Sequence, residues 1–319
     1  MTIGESDGLV DVRLTAIRYA ARDTHLYEFQ RIDGLALAPA EAGAHIDLHL
    51  PNGLVRQYSL TTPDATPMRY TLGIKLDPES RGGSRYIFEA LKVGHTLKIS
   101  GARNNFPLVD NAEHTVLIAG GIGITPIWAM LQKLQSAARS WTLYFSCRSR
   151  ADMPFLDMLQ GMPEAHLHFD DEANGALLDF YRIVSQAPKD AHLYCCGPGP
   201  MLEAFKAATA NWPEQQVHIE YFTAAEPAAL AGNYVVRLAR SGKEFVIPPG
   251  KSILTVLREA GLDVPYSCEE GVCGTCETAV ISGVPDHRDS LLTDKERATN
   301  ATMMICCSGS KSERLILDL

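Results

Sequence analysis

From residue 9 to residue 108 the chain is built of short apolar runs separated by turn residues. Ile46-Asp47-Leu48-His49-Leu50 alternates apolar and polar, and Pro51-Asn52-Gly53 turns the chain after it. Residues 69–76 and 96–100 are further strand candidates, and 86–91 carries the one short helical pattern of this stretch. Many short strands at this spacing predict a small antiparallel barrel. From 109 to 222 the pattern changes. Compact apolar runs at 115–119, 141–146 and 192–196 read as strands, and 126–135, 155–159 and 201–210 read as helices. Strand and helix in alternation predict a parallel sheet. Residues 223–232 are rich in alanine and carry Pro227, which predicts a linker. From 233 to 319 a hairpin is expected, with strands at 234–238 and 244–247 around Ser241-Gly242. A helix at 252–260 stops at Gly261. This last segment reads as a compact α+β unit.

Length agrees with that division, since 319 residues exceed one ordinary domain. A 46% hydrophobic content is enough for sizeable cores. The net charge of −9 argues against nucleic acid as a partner, because phosphate binding needs a basic surface. It permits docking to a basic protein patch. No apolar run approaches the roughly 18 residues of a membrane span. The stretch Met1–Leu9 is polar and acidic, with no basic or apolar leader regions, so a cytoplasmic protein is expected.

The sharpest chemistry lies near residue 270. Cys268, Cys273 and Cys276 form C-x4-C-x2-C, and Cys306 follows at a distance. This is the plant-type spacing for a [2Fe–2S] cluster, an electron site that takes one electron at a time. Zinc is the rival occupant, although its ligands usually come as two close pairs and the second pair is missing here. Disulfides are disfavoured where nothing points to secretion. Cys307 adjoins Cys306 and reads as a small buried neighbour.

Three upstream motifs have chemistry of their own. Arg56-Gln57-Tyr58-Ser59 offers a guanidinium for a phosphate, an aromatic face for a flavin ring and a hydroxyl for its N5 edge. Arg81-Gly82-Gly83-Ser84 presents bare backbone N–H groups before a helix, which suits a terminal phosphate. Gly120-Gly121-Ile122-Gly123-Ile124-Thr125-Pro126 follows an apolar strand and opens a helix, as a pyrophosphate site requires, although it is not a full G-x-G-x-x-G. Cys196-Gly197-Pro198-Gly199-Pro200-Met201 also sits at a strand-to-helix turn.

In this order the motifs resemble the ferredoxin–NADP reductase superfamily. With a plant-type ferredoxin segment at the C-terminus, the chain is similar to the phthalate dioxygenase reductase family, which includes the vanillate O-demethylase reductases. The resemblance covers nearly the whole chain. It implies a multi-domain architecture: an antiparallel β-barrel flavin domain at 9–108, an α/β parallel-sheet NAD(P)H-binding domain at 109–222, a linker at 223–232 and a β-grasp ferredoxin domain at 233–319. It implies a flavin iron–sulfur reductase of aromatic catabolism. Hydride passes from NADH to FMN, and single electrons leave through the cluster for a Rieske-type terminal oxygenase or O-demethylase. Arg56, Gln57, Tyr58 and Ser59 would bind flavin, Gly73, Ile74 and Lys75 would line it, and Arg81, Gly82, Gly83 and Ser84 would hold the FMN phosphate. Gly120, Gly121, Gly123, Gly197 and Pro198 would hold the nucleotide. Ser59 and Thr125 would position N5, Cys196 the nicotinamide, and Phe222 would lie by the flavin. Cys268, Cys273, Cys276 and Cys306 would ligate iron.

The resemblance also implies alternatives and departures. A reductase for a different monooxygenase and a non-enzymatic electron carrier are the rival readings. The stretch Ser146-Cys147-Arg148-Ser149-Arg150 has no acid before Asp152, so its arginines and serine leave NADPH open beside NADH. Gly309 stands where relatives often carry arginine. Glu269 and Glu270 make an acidic lip, read either as a docking site for the oxygenase or as a solvated loop.

Overall fold

A computed structural model describes residues 8–319; Met1–Asp7, and with them most of the N-terminal stretch read for a leader, lie outside the described residues. The chain divides into two compact units, one ending at Glu220 and the other running from Tyr221 to Leu319. The first unit holds two sheets.

The first sheet comprises β1 (Val10–Ala21), β2 (Thr24–Arg31), β3 (His45–His49), β4 (Val55–Ser59), β5 (Tyr70–Lys75) and β6 (Thr96–Ile99), in the order β4-β3-β6-β1-β2-β5. Its pairings are antiparallel. A bridge between Leu60 and Leu72, with Thr61 N–H donating to Thr71 O at 3.0 Å, ties the two outer strands into a barrel. Val12, Leu14, Phe29, Ile46, Leu48, Leu72 and Ile74 alternate inward and fill it. Helix α1 (Gly83–Ala90) covers one side, with Ile87 buried and Phe88 stacked on His25 at 4.6 Å. It starts earlier than the 86–91 pattern predicts.

The second sheet comprises β7 (Thr115–Gly120), β8 (Trp141–Cys147), β9 (Ala165–Phe169), β10 (His192–Cys196) and β11 (Val217–Glu220). All pairings are parallel, in the order β11-β10-β7-β8-β9. The order reverses between β7 and β10, so their C-terminal ends form the switch point where such sheets bind ligands. Helix α2 (Ile124–Ser136) starts there. Its Ile124, Ile127, Met130 and Leu131 are fully buried, as a helix against a central strand requires. Three further helices follow: α3 (Leu156–Leu159), α4 (Phe180–Gln186) and α5 (Gly199–Ala208). Gln132 of α2 donates to Thr61 O at 2.6 Å, and Tyr194 of β10 accepts from Val109 N–H at 2.9 Å, so side chains lock the two sheets together.

The second unit is an α+β fold. Strands β12 (Tyr234–Leu238), β13 (Glu244–Ile247), β14 (Glu277–Ser282), β16 (Thr302–Met304) and β18 (Arg314–Leu317) form one sheet, ordered β13-β12-β18-β14-β16. Strands β15 (Pro285–Asp286) and β17 (Gly309–Ser310) pair separately. Helix α6 (Ile253–Glu259) buries Ile253, Leu254 and Leu257 against Val236, Leu315 and Leu317. Ser252 caps it, accepting from Thr255 N–H at 3.1 Å, and Gly261 ends it with φ +77°. Helix α7 (Asp294–Thr299) begins with a full capping box from Thr293 and Glu296. Residues 223–232 form neither helix nor strand. They are nevertheless strapped to this unit, with Ala225 N–H donating to Ser290 Oγ at 3.1 Å and Ala229 N–H to Cys307 O at 2.8 Å.

Candidate active site and cluster loop

On β4, strand alternation puts Arg56 and Tyr58 on one face and Gln57 and Ser59 on the other. Gln57 donates to the buried Asp47 of β3 at 3.1 Å, and Arg103 pairs with the same carboxylate at 2.7 Å. The Gln57 amide is therefore spent inside the barrel wall. Arg56 runs directly over Gly83: a Cβ on that glycine would lie 2.7 Å from Arg56 Nε. The R-x-Y-S strand and the Arg81–Ser84 turn, separate in sequence, are thus in contact. Gly82 enters the turn with φ +95°, where a side chain would be strained. The Gly82 N-cap offers no side chain to the start of α1, and while Arg85 N–H donates to Ser80 Oγ at 3.3 Å, the Gly83 and Ser84 N–H groups can face an anion beside a guanidinium. Ser84 Oγ accepts from Asp77 N–H at 3.1 Å and keeps its own proton to donate.

The other end of the site is at the switch point. A Cβ on Gly123 would lie 2.5 Å from Cys196 C and 2.8 Å from Gly197 N, so the two glycine turns touch through backbone. Gly120 meets Pro198 just as tightly, at 2.7 Å from its Cδ. Gly121, with φ +53°, faces open space. Thr125 is buried, donates to Ile122 O at 3.0 Å, and sets its methyl 2.5 Å from where a Gly73 Cβ would be. Gly73 lies in β5 of the barrel, between Leu72 and Ile74. The barrel wall and the nucleotide turn therefore meet at Gly73 and Thr125. Lys75, two residues on, lies near enough to Cys147 to draw its thiol down, though burial prevails and pushes that thiol up to about 12. Arg148 is exposed just past β8. Phe222 belongs to the second unit.

Cys196 is fully buried and donates to Glu220 Oε2 at 3.8 Å. Burial, reinforced by that carboxyl, holds the thiol well above its ordinary range, so it is a neutral group and no thiolate nucleophile. The Glu220 residue keeps partial solvent contact, yet its carboxyl is enclosed, and burial pushes it up to about 8. The parallel register pairs Cys196 with Glu220 directly. The sequence motif led to Cys196 but gave Glu220 no chemical role. The signal was its place at the end of the neighbouring parallel strand.

In the second unit Cys268, Cys273, Cys276 and Cys306 are free and buried. Cys268 accepts from Cys273 and Cys306, and Glu270 N–H adds a bond at 3.3 Å; together they hold its thiol far below the usual range. Cys276 accepts from Cys306, with the same direction. Thr275 N–H donates to Cys273 at 3.4 Å. Among the described residues no three such side chains share one point fit for a single metal ion. The sulfurs meet instead in a row, Cys273 to Cys268 to Cys306 to Cys276. A binuclear cluster spreads four thiolates over two centres, as four neighbouring sulfurs allow, and the N–H···S bonds are those that stabilise cluster sulfur. The residues therefore fit a [2Fe–2S] cluster. Gly271 and Gly274, with φ +71° and +78°, fold the loop. A Cβ on Gly271 would reach the Cys307 sulfur and, at 3.0 Å, Asp289 Cα. Cys307 lies beside this group, its sulfur in contact with the Cys306 thiol and 3.8 Å from Met304 O. Gly309 packs on Ala229, whose Cβ would be 2.9 Å from a side chain there, so arginine does not fit this position as the strap stands.

Comparison with known proteins follows the same geometry. A model of the 2Fe-2S iron–sulfur cluster binding domain matches residues 236–310, and one of the oxidoreductase NAD-binding domain matches 117–207. The "Phenoxybenzoate dioxygenase subunit beta" of Ectopseudomonas oleovorans is 50% identical over 311 residues, 97% of each chain. The solved structure of phthalate dioxygenase reductase, described as modular for electron transfer from pyridine nucleotides to [2Fe-2S], covers all of both chains at 37% identity and a TM-score of 0.76. The chain belongs to the phthalate dioxygenase reductase family. It is an NAD(P)H-dependent flavin iron–sulfur oxidoreductase whose cofactors are FMN and a [2Fe–2S] cluster. A further match, to an intact type IV self-sufficient cytochrome P450 monooxygenase, covers the whole chain at 34% identity and a TM-score of 0.86. The chain spans only 43% of that protein. No helix of the described residues is long and apolar enough to cross a membrane.

Proposed function

We propose that this reductase takes electrons from NADH and delivers them singly to a Rieske-type aromatic oxygenase in the cytoplasm. The reading assigns 9–108 to the flavin domain, 109–222 to the nucleotide domain, 223–232 to the linker and 233–319 to the ferredoxin domain. Arg56 and the Arg81–Ser84 turn would hold the FMN phosphate, Tyr58 and Ser59 its ring, and Gly73, Ile74 and Lys75 the wall beside it. Gly120, Gly121, Gly123, Gly197 and Pro198 would hold the nucleotide pyrophosphate on the N-terminus of α2. The observation that carries this is the approach of Gly73 to Thr125, which supports a flavin and a nicotinamide face to face in one unit.

When bound, the flavin accepts two electrons as hydride and releases them one at a time. The protein's share is orientation. Ser59 and Thr125 are buried hydroxyls on either side of the barrel–turn junction. Cys196, held neutral, offers a soft, uncharged surface for the nicotinamide. Cys268, Cys273, Cys276 and Cys306 would ligate the iron of a cluster that takes one electron at a time. A second reading, delivery to a haem monooxygenase, is favoured by the likeness to the P450 fusion.

The test is an anaerobic titration with NADH, followed by mixing with an acceptor. Bleaching of flavin and iron–sulfur bands with about three electrons per chain is expected. Rapid reoxidation by a Rieske-type oxygenase component, with none by a haem monooxygenase domain, supports the first acceptor. The opposite result replaces it with the second.

A further inference from the structure

The register Cys147–Phe169 lays the loop after β8 against the loop after β9. In doubly wound sheets the residues after the second strand read the ribose of the nucleotide, and an arginine there accommodates a 2′-phosphate. This loop has two arginines and a serine with phosphate-binding chemistry, yet the neighbouring loop answers them with acids. Arg150 meets Glu172 as fork on fork, Nε to Oε1 at 2.5 Å and Nη2 to Oε2 at 2.9 Å. Its guanidinium lies 4.3 Å over the Phe169 ring, which fixes its plane. Ser149 donates to Asp152 at 2.6 Å, and Ser146 donates to Asp170 at 3.2 Å. These two loops thus carry Arg148 and Arg150 against four carboxylates, Asp152, Asp170, Asp171 and Glu172, of which Asp152 is also met by Arg22 at 3.7 Å.

We propose that Glu172 masks Arg150, and that this ion pair, held on Phe169, sets the choice of NADH over NADPH. The inference rests on the NADH reading above and deepens it. A 2′-phosphate would have to displace the Glu172 carboxylate from Arg150 and would meet a surplus of negative charge while doing so. NADH, with plain ribose hydroxyls, meets neither cost. Arg150 is therefore a latent phosphate ligand, and the residue that suppresses it lies 22 positions away.

The experiment uses the full-length holoprotein and the variants Glu172→Gln, Arg150→Ala and their combination. Rates of ferricyanide reduction give kcat/KM for NADH and NADPH. Calorimetry gives the affinity for 2′,5′-ADP against 5′-AMP, a readout independent of turnover. In the parent, preference for NADH is expected; preference for NADPH would overturn the NADH reading itself and the mask with it. Given that preference, Glu172→Gln raises NADPH kcat/KM about tenfold, the scale of one recovered charged hydrogen bond. It tightens 2′,5′-ADP by a similar factor, leaves 5′-AMP and NADH within about twofold, and loses both gains when Arg150→Ala is added. The mask is overturned if Glu172→Gln leaves NADPH and 2′,5′-ADP unchanged. It is also overturned if the gain survives in the double variant, which would make it a general charge effect.

Discussion

Replacing Gly123 by alanine tests the contact on which the nucleotide turn depends. The new methyl would stand 2.5 Å from Cys196 C and 2.8 Å from Gly197 N, and closer still to Cys196 O. All are backbone atoms of a central strand end, so no side chain can swing aside. Relief requires the two turns to separate by about 1 Å, and such overpacking costs about 1–3 kcal/mol. For a unit of this size that lowers Tm by roughly 3–10 °C. A displacement near 1 Å of groups that orient a substrate costs about a hundredfold in rate. Nothing lies within 4 Å of a Cβ at Gly121 or Gly199, so Gly199→Ala is the control for both assays and Gly121→Ala, at a position assigned to the nucleotide, for melting alone. Gly121→Ala carries only the strain of φ +53°, about 1 kcal/mol. Gly199→Ala starts a helix with a better helix former and should be neutral or slightly stabilising. The assays are thermal melting and NADH-driven ferricyanide reduction. A Gly123→Ala protein that melts within 1–2 °C of the parent and reduces ferricyanide within about twofold would refute the close-approach argument.

Three other outcomes are expected. Serine at Cys268, Cys273, Cys276 or Cys306 should remove the iron–sulfur absorbance and most bound iron, whereas Cys307→Ser should keep both; iron analysis decides, and loss of iron from Cys307→Ser alone would reassign the fourth ligand. Glu220 has its pKa raised from 4.5 to about 8, so between those values the folded chain holds a proton that the unfolded chain has released. Its contribution is full below about 4.5 and is lost as pH rises towards 8, by at most about 5 kcal/mol. Glu220→Gln should flatten the fall in Tm between pH 5 and 8, and an unchanged slope would show that this carboxyl does not hold its proton. Charge reversal at Glu269 and Glu270 should slow transfer to the oxygenase several-fold and spare ferricyanide reduction.

What the sequence disclosed follows from how local each signal is. The Gly120–Gly123 turn, the Cys196–Pro198 turn and the cysteine loop each need special residues within a few positions, and each could be read where it stands. The barrel was legible from the alternation at 46–50, but the long β1–β2 hairpin was not singled out. Its strand β1 is irregular, with register shifts after Leu14 and Tyr19 that break the period of two. Contacts set by strand register escaped altogether. Gln57 turning to Asp47, Glu220 beside Cys196 and Glu172 on Arg150 join residues 10 to 24 positions apart. Only the pairing of β3 with β4, β10 with β11 and β8 with β9 brings them together. The strap at 223–232 has the composition of a flexible tether, yet backbone hydrogen bonds to Ser290 and Cys307 fix it, and composition does not encode those bonds.

Because Leu60, just past β4, bridges Leu72 of β5, the flavin-side sheet closes on itself there and offers another chain less open edge than a flat sheet does. Exposed edges are where foreign strands add and where aggregates nucleate. That liability therefore passes to the other sheets, whose borders are β9 and β11 in the first unit and β13 and β16 in the second. Of these, β13 is short and carries Glu244, whose carboxylate is engaged by Arg314 at 2.8 Å; charge on a brief edge discourages strand addition. Under heat or mild denaturant the barrel should thus be the last part to join amorphous or fibrillar material. Solubilising substitutions belong along β9, since Met303 and Met304 of β16 are core residues, and would do less on β4 and β5.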